Sequence, residues 1–585
     1  MAYKIAIFGG GMGGLAAAHE LVGRGYEVTV YEPGRYGGKA SNQETPIAAP
    51  TASAYKPLTG EHGFRFFPGF YRHVIATMAE IPGVAPFTTV ADALLASEEA
   101  AVAWTGQPLM TFPRRTVPPP PDLVTRLAGL AAGLDVTPED LARMAWFRLK
   151  YATSCAARRV DYDEVNWWDF IDGDSPRYSD KFRLLEASIP RTMSAMVARQ
   201  SSARVIGDVG LQMLFGCGRP QEEPDRVLTG PTSEVWIAPW IAHLQARGVR
   251  FEKAALTHLE VEPATLSLPA RIRQAHVQYV GATTTSTVAA DRYIAALPVE
   301  RMRDLVATNA YLMADPALAS LRAWPRPTAS MVGAQYYLRT DAPMAAGHIF
   351  YPESAWALTS ISQAQFWAAG VGPIENRYGD GTVRGILSVD ISDWDTAGSS
   401  GKTATQCTSA AEVLDEVLHQ LRATLGSPTW LDDANIAGKW LDDGVTFSTA
   451  GAKNTTPLLV HDIGHMKYRP DCKVSFDNLY LASDYVKTHT LLATMEGANE
   501  AARAAVNAIL DDTGSAHVRC AIWPLYEEPI FAAAKALDAE RHADGRGHVM
   551  DAWPLRHALD AASLMQMAAS ALGTPTVASL LRWLP

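Results

Sequence analysis

Lys4-Ile5-Ala6-Ile7-Phe8-Gly9-Gly10-Gly11-Met12-Gly13-Gly14 opens the chain with a short apolar run that ends in a cluster of glycines. An uninterrupted apolar run of this length reads as a parallel strand buried on both faces, and the glycines carry the GxGxxG spacing. Leu15 to Val22 reads as a helix stopped by Gly23 and Gly25, and Glu27-Val28-Thr29-Val30-Tyr31 as a second strand ending at Glu32. Strand, glycine turn, helix, strand and acid, in that order, form a complete βαβ unit for a dinucleotide. Gly9 permits the tight turn, Gly11 lets the backbone approach a pyrophosphate, and Gly14 lets helix and strand pack closely; Gly13 is counted with them as a cofactor contact. The helix start faces the phosphates with free N–H groups and a partial positive charge. Glu32, 18 residues beyond Gly14, is placed to accept from the adenosine ribose hydroxyls, and an acid there disfavours a 2′-phosphate. FAD and NAD remain.

The next residues, Gly34-Arg35-Tyr36-Gly37-Gly38-Lys39, resemble the R-x-G-G-[RK] element of the phytoene desaturase and flavin amine oxidase superfamily. That resemblance implies FAD, with Arg35 and Lys39 as phosphate partners and Gly37 and Gly38 in close backbone approach. Two distant segments resemble the same superfamily. Asp477-Asn478-Leu479-Tyr480-Leu481-Ala482-Ser483-Asp484 is similar to its NLYLAGD strand, with serine in place of glycine, and Leu492-Ala493-Thr494-Met495-Glu496-Gly497-Ala498 to its ATMEGA-type helix start. By that likeness Asp484 meets a ribityl hydroxyl or the pyrophosphate side. The N–H groups near Thr494, Met495 and Glu496 face the flavin N1/O2 edge, where negative charge gathers on reduction. The stretch from Thr232 to Pro298 resembles the second cofactor segment and assigns Ala255 a backbone contact to the adenine.

Gly60-Glu61-His62-Gly63-Phe64-Arg65-Phe66-Phe67-Pro68-Gly69-Phe70-Tyr71-Arg72-His73 is dense in aromatics and cations. It resembles a stretch that borders flavin and substrate tunnel in plant-type phytoene desaturases, which makes Arg65, His62 and Tyr71 catalytic candidates. The loop from Tyr485 to Thr490 is placed near the flavin face by the same likeness, adding Lys487 and His489 as proton donors or substrate contacts.

These readings predict a Rossmann-type α/β FAD domain assembled from residues 1–111, 227–299 and 441–512. An α+β substrate domain with an antiparallel sheet and helices takes 112–226 and 300–440, and a helical extension takes 513–585. The substrate domain begins after the proline run 118–121, a PPII hinge, with Thr137 as an N-cap and Trp146, Phe147, Tyr151, Trp167, Trp168 and Phe170 as apolar side chains. Ala334 to Leu338 and Gly385 to Asp390 read as strands. His461 and His465 have HxxxH spacing but no third ligand, so no metal is expected. The tail, with Ala558 to Leu572 and Leu580-Leu581-Arg582-Trp583-Leu584, reads as a helix packed on the body or across an oligomer interface, or as one lying on a membrane surface.

Composition agrees with an enzyme of two or three domains. The 585 residues are 48% hydrophobic and 19% charged, with a formal charge of −11, which excludes disordered classes and leaves no basic footprint for nucleic acid. The five cysteines lie far apart, as in a chain kept in a reducing compartment. A cytoplasmic protein with peripheral membrane contact is expected.

The resemblance implies hydride transfer between flavin N5 and a large hydrophobic polyene or isoprenoid. Its direction stays open. Related enzymes desaturate carotenoids, dehydroxylate hydroxysqualene, or close carbocycles on polyene tetramate macrolactams with FAD reduced by NADPH or NADH. A non-redox flavin-bound isomerase and an amine oxidase are the remaining readings, and oligomeric state is not legible.

Overall fold

A computed structural model describes residues 3–50, 55–63, 66–114, 136–218, 225–341 and 343–551. Five parallel strands form its first sheet, in the order Arg250–Glu252, Glu27–Tyr31, Lys4–Phe8, Arg292–Ala295, Leu479–Leu481. Ile5 and Ile7 share a core with the helices Met12–Val22 and Met495–Asp512, while Ala6 and Phe8 face a second core on the opposite side. That two-sided burial is why the opening strand alternates no polar residues.

The helices Val299–Ala307 and Pro316–Ala323 fill this second core through Met302, Leu305, Val306, Leu318 and Leu321. The expected boundary at 299/300 therefore cuts a helix that belongs with the dinucleotide sheet.

A seven-stranded sheet runs Ile436–Leu441, Val332–Leu338, Gly385–Ile391, Leu358–Ser362, Gly347–Phe350, Glu99–Val102, Met110–Pro113. Both expected strands lie in it, and every pairing is antiparallel except that of Gly347–Phe350 with Glu99–Val102. The expected boundary at 111/112 thus falls inside a strand of the substrate sheet. Tertiary pairing with residues 347–350 draws the segment there, and no local signal marks it. One face of the sheet is covered by the helix Ala410–Leu425.

The helices Pro138–Thr153, Asp180–Ser194 and Ala203–Gly218 build a third layer. Thr137 caps the first of them in a capping box with Asp140. Phe147, Tyr151, Trp167, Trp168 and Phe170 form the core of this layer, with Trp146 packed against it.

After the helix Met495–Asp512 the extension is first a strap without regular structure and then a helix, Ala532–Ala543, docked on the helical layer. Asp538 fastens it by accepting from the Cys155 N–H at 2.8 Å and from Arg158 Nε. Phe64, Arg65, the proline run and the tail beyond 551 lie outside the described residues. Among the described residues no helix is long and apolar enough to cross a membrane.

Candidate active site

A cavity of about 1370 Å³ runs from the glycine turn, past the segment 62–71, to the helical layer. At its dinucleotide end four of the five glycines of the turn divide their work by geometry. Gly9 has φ +109°, and a Cβ there would lie 2.3 Å from the Ala296 carbonyl oxygen. A Cβ on Gly13 or Gly14 would stand 2.0 Å from Ala482 O or 1.9 Å from Gly9 O, so these two pack the helix onto the strands. Gly11 differs: its nearest neighbour would be Gly38 Cα at 4.0 Å, and the open space is the cavity itself. The helix that follows has no side-chain cap, so its first N–H groups remain available to a pyrophosphate.

Glu32 lines the same end, and its carboxylate accepts from Gly10 N–H at 2.8 Å and Gly34 N–H at 2.7 Å. The acid fixes the turn and keeps further lone pairs at the cavity wall. Gly37, Gly38, Ala255, Asp484, Thr494 and Met495 line this end as well. Arg35 and Lys39 reach it but turn to carboxylates, Arg35 to Asp443 through two contacts of 3.1 Å and Lys39 to Glu300 at 2.8 Å. Thr494 caps the helix Met495–Asp512 by accepting from Gly497 N–H at 3.0 Å. The Glu496 side chain points away from the cavity, so it can serve a cofactor only through its main chain.

His62 lines the middle of the cavity with Nδ1 3.0 Å from Asp442 Oδ2. Gly333 N–H donates to the His62 carbonyl at 2.6 Å and Tyr337 OH to the Thr59 carbonyl at 3.0 Å. These bonds pin the segment against the seven-stranded sheet. Tyr71 is buried at the cavity edge, with its ring 5.3 Å from that of Phe70.

Lys487 and His489 do not reach the site: both are exposed and neither lines the cavity. Buried Arg469 explains this, because its guanidinium donates to the carbonyls of Asp484, Tyr485, Val486 and Leu491. Glu500 takes the N–H groups of His489 and Thr490 at 2.6 and 3.0 Å. With its backbone drawn inward, the loop turns these two side chains out.

Sequence reasoning missed the polar groups on the sheet and helix walls. His348, Thr359 and Asp390 line the cavity from three different strands, beside the ion pair of Arg114 with Asp225. Burial pushes the His348 imidazole down to about 4, so it is neutral at physiological pH. His348 and Asp390 show only as polar side chains flanked by nonpolar residues, a pattern too common to single them out, and Thr359, beside Ser360, lacks even that mark.

The remaining wall is mostly apolar. Met144, Leu185, Ile189, Met193, Met196, Ile206, Val209, Met213 and Leu214 come from the three helices of the third layer or the turn between them, and Ala100, Val102, Phe112 and Phe350 from the sheet. The buried rings of His461 and His465 meet edge to face with centroids 4.8 Å apart, and His465 Nδ1 is 2.7 Å from Asp163. Among the described residues no group of three or more His, Cys, Asp or Glu is arranged to hold a metal.

Residues 264–510 match the family model of flavin containing amine oxidoreductases, and residues 7–81 that of NAD(P)-binding Rossmann-like domains. No curated protein matches the chain. Among solved structures, an oxidoreductase from Methanosarcina mazei is 12% identical with a TM-score of 0.54, covering 87% of this chain and 100% of its own. Cyclohexylamine oxidase from Brevibacterium oxydans is 14% identical at TM-score 0.55, covering 88% and 100%. A putrescine oxidase bound to putrescine is 15% identical at TM-score 0.55, covering 87% and 99%. Identities this low speak for a shared fold. The fold is a Rossmann-like domain joined to an amine-oxidase-like substrate domain, the cofactor is FAD, and the protein is a FAD-dependent oxidoreductase.

Proposed function

We propose that this oxidoreductase transfers hydride to or from a large, mainly apolar polyene or isoprenoid held in the helical arm of the cavity. The observation that carries the reading is that arm. The cavity of about 1370 Å³ holds the cofactor end and this arm together, and the helical side of the arm is mostly methionine and branched aliphatic. Unbranched methionines adapt to a long flexible substrate without demanding one shape.

FAD supplies the hydride chemistry when bound at the dinucleotide end. The chain's residues do the rest. Gly11, Gly38 and the uncapped helix start receive the pyrophosphate, Glu32 the ribose, and the Thr494-capped helix directs its positive end toward developing negative charge. Phe70 and Tyr71 line the cavity with their rings and help exclude water from the reacting carbon. Neutral His348 stands on the sheet wall with its ring facing the cavity, suited to holding a proton near the substrate. A substrate this apolar is gathered from a membrane surface, so peripheral contact belongs to the proposal.

An amine oxidase is the second reading, favoured by the family match over 264–510. Anaerobic mixing separates the readings. Rapid bleaching of the flavin by NADPH or NADH supports reductive chemistry such as ring closure, and bleaching by a polyene or isoprenoid supports desaturation. Bleaching by putrescine, cyclohexylamine or a long-chain amine, with none by the others, overturns the proposal in favour of amine oxidation.

A further inference from the structure

Arg148 is the anomaly of the apolar arm. It lies on the helix Pro138–Thr153, lines the cavity, and its side chain is 19% exposed. Its guanidinium lies 4.6 Å from the Trp167 ring centroid and against Gly210, where a Cβ would stand 2.1 Å from Nη1. Only glycine on the helix Ala203–Gly218 leaves room for it. Yet the guanidinium makes no hydrogen bond to any described residue, and its one ionic neighbour, Glu186 Oε2, is 3.8 Å away. That carboxylate already accepts from Trp167 Nε1–H at 2.9 Å.

A mostly buried guanidinium whose Nη1 is enclosed without a hydrogen-bond partner is costly unless something completes it, and groups left so in native proteins call for an explanation. Here the position is prepared: a glycine vacates the space, an indole backs the cation, and the exposed part faces the cavity.

We infer that Arg148 binds a carboxylate-type oxyanion at one end of an otherwise apolar substrate. This rests on the reading of the helical arm as the substrate arm. The planar fork of the guanidinium matches the two oxygens of such a group, and the apolar wall takes the rest of the molecule. Glu186 tempers the site by competing for the cation. The substrate class is thereby an amphipathic acid, with its charged end fixing how far the chain reaches toward the dinucleotide end.

The test titrates the FAD-loaded protein with dodecanoate, dodecanol and dodecylamine by calorimetry. Dodecanoate is expected to bind about tenfold tighter than dodecanol, as charge-assisted hydrogen bonds allow. Arg148→Gln removes that preference and leaves dodecanol binding unchanged, while Arg148→Lys keeps part of it. Glu186→Gln, which retains an acceptor for the Trp167 N–H, tightens dodecanoate alone and decides the matter should Arg148→Gln not fold. Equal binding of acid and alcohol, an acid preference that survives Arg148→Gln, or tighter dodecylamine binding that depends on Glu186 overturns the anion site. If neither acid nor alcohol binds, the substrate-arm reading fails together with it.

Discussion

His73 Nδ1 stands 2.7 Å from Glu496 Oε1, and both side chains are 1% exposed. The same carboxylate accepts from the backbone N–H groups of Arg72, His73 and Val74 at 2.7 to 2.9 Å. Those residues begin the helix His73–Ala79, which has no side-chain cap of its own. Glu496 is thus a cap supplied from 423 positions away. On the far side of the ring, Trp523 N–H donates to His73 Nε2 at 3.0 Å, which assigns the proton between ring and carboxylate to Nδ1. Through this network Glu496 joins the helix Met495–Asp512, the aromatic segment and the C-terminal strap.

Glu496→Ala is expected to cost about 3 to 5 kcal/mol, the scale of breaking a buried charged network. Glu496→Gln, which keeps one oxygen, should fall between the variant and the native chain. Denaturant melts monitored by far-UV dichroism measure both, and a loss under about 1 kcal/mol for alanine contradicts the long-range cap.

Glycine substitutions separate binding from folding. Gly11 has φ −79° and no close neighbour for a Cβ, so Gly11→Ala should fold. Its methyl occupies the pyrophosphate cradle, and FAD affinity is expected to fall about tenfold or more, equivalent to about 1.4 kcal/mol. Gly14→Ala drives a Cβ to 1.9 Å from a backbone oxygen that cannot swing aside, and insoluble protein is expected. Flavin absorbance after gel filtration reads the first outcome, and soluble yield the second.

Acid should destabilise the protein partly through His348. Its folded value of about 4 lies below the ordinary value of 6.5, so between these limits the unfolded chain binds the extra proton and stability falls as pH falls. The contribution is complete above about pH 6.5 and is lost on the way to about pH 4, at up to about 1.4 kcal/mol per pH unit. His461, His465, His243 and His548 are lowered by burial too, so the comparison must be differential. His348→Gln is expected to flatten the stability profile by about one proton in that window, and an unchanged slope counts against the burial of a neutral imidazole.

Asp538 has a fully buried side chain that accepts from Cys155 N–H at the start of the helix Ala156–Asp161. Asp538→Ala leaves that donor and Arg158 Nε without their acceptor, so the helix Ala532–Ala543 should detach before the body unfolds. Limited proteolysis within residues 515–528 is expected to speed up severalfold with little change in bound FAD. Unchanged cleavage shows that other contacts hold the strap.

The opening strand, the glycine turn, Glu32 and the helix after Thr494 were legible because each rests on a local pattern. A buried strand must be apolar throughout, a tight turn at φ +109° favours glycine, and a helix start needs a cap. The same logic identified Thr137 and the strands near 334 and 385. It failed at Lys487 and His489, where motif position gave the loop's place but not its facing. That facing is set by a buried arginine and a glutamate that bind the loop's backbone.

Local chemistry in the sequence therefore determined the dinucleotide cradle and its cofactor class, since backbone conformation and helix capping depend on near neighbours. Only the tertiary structure decided that residues 99–113 join the substrate sheet, that Glu496 serves a helix rather than the cavity, and that Arg148, Glu186 and Gly210 converge on one wall. Those three come from separate helices, and their meeting depends on how whole helices pack, which no short-range pattern of residues encodes.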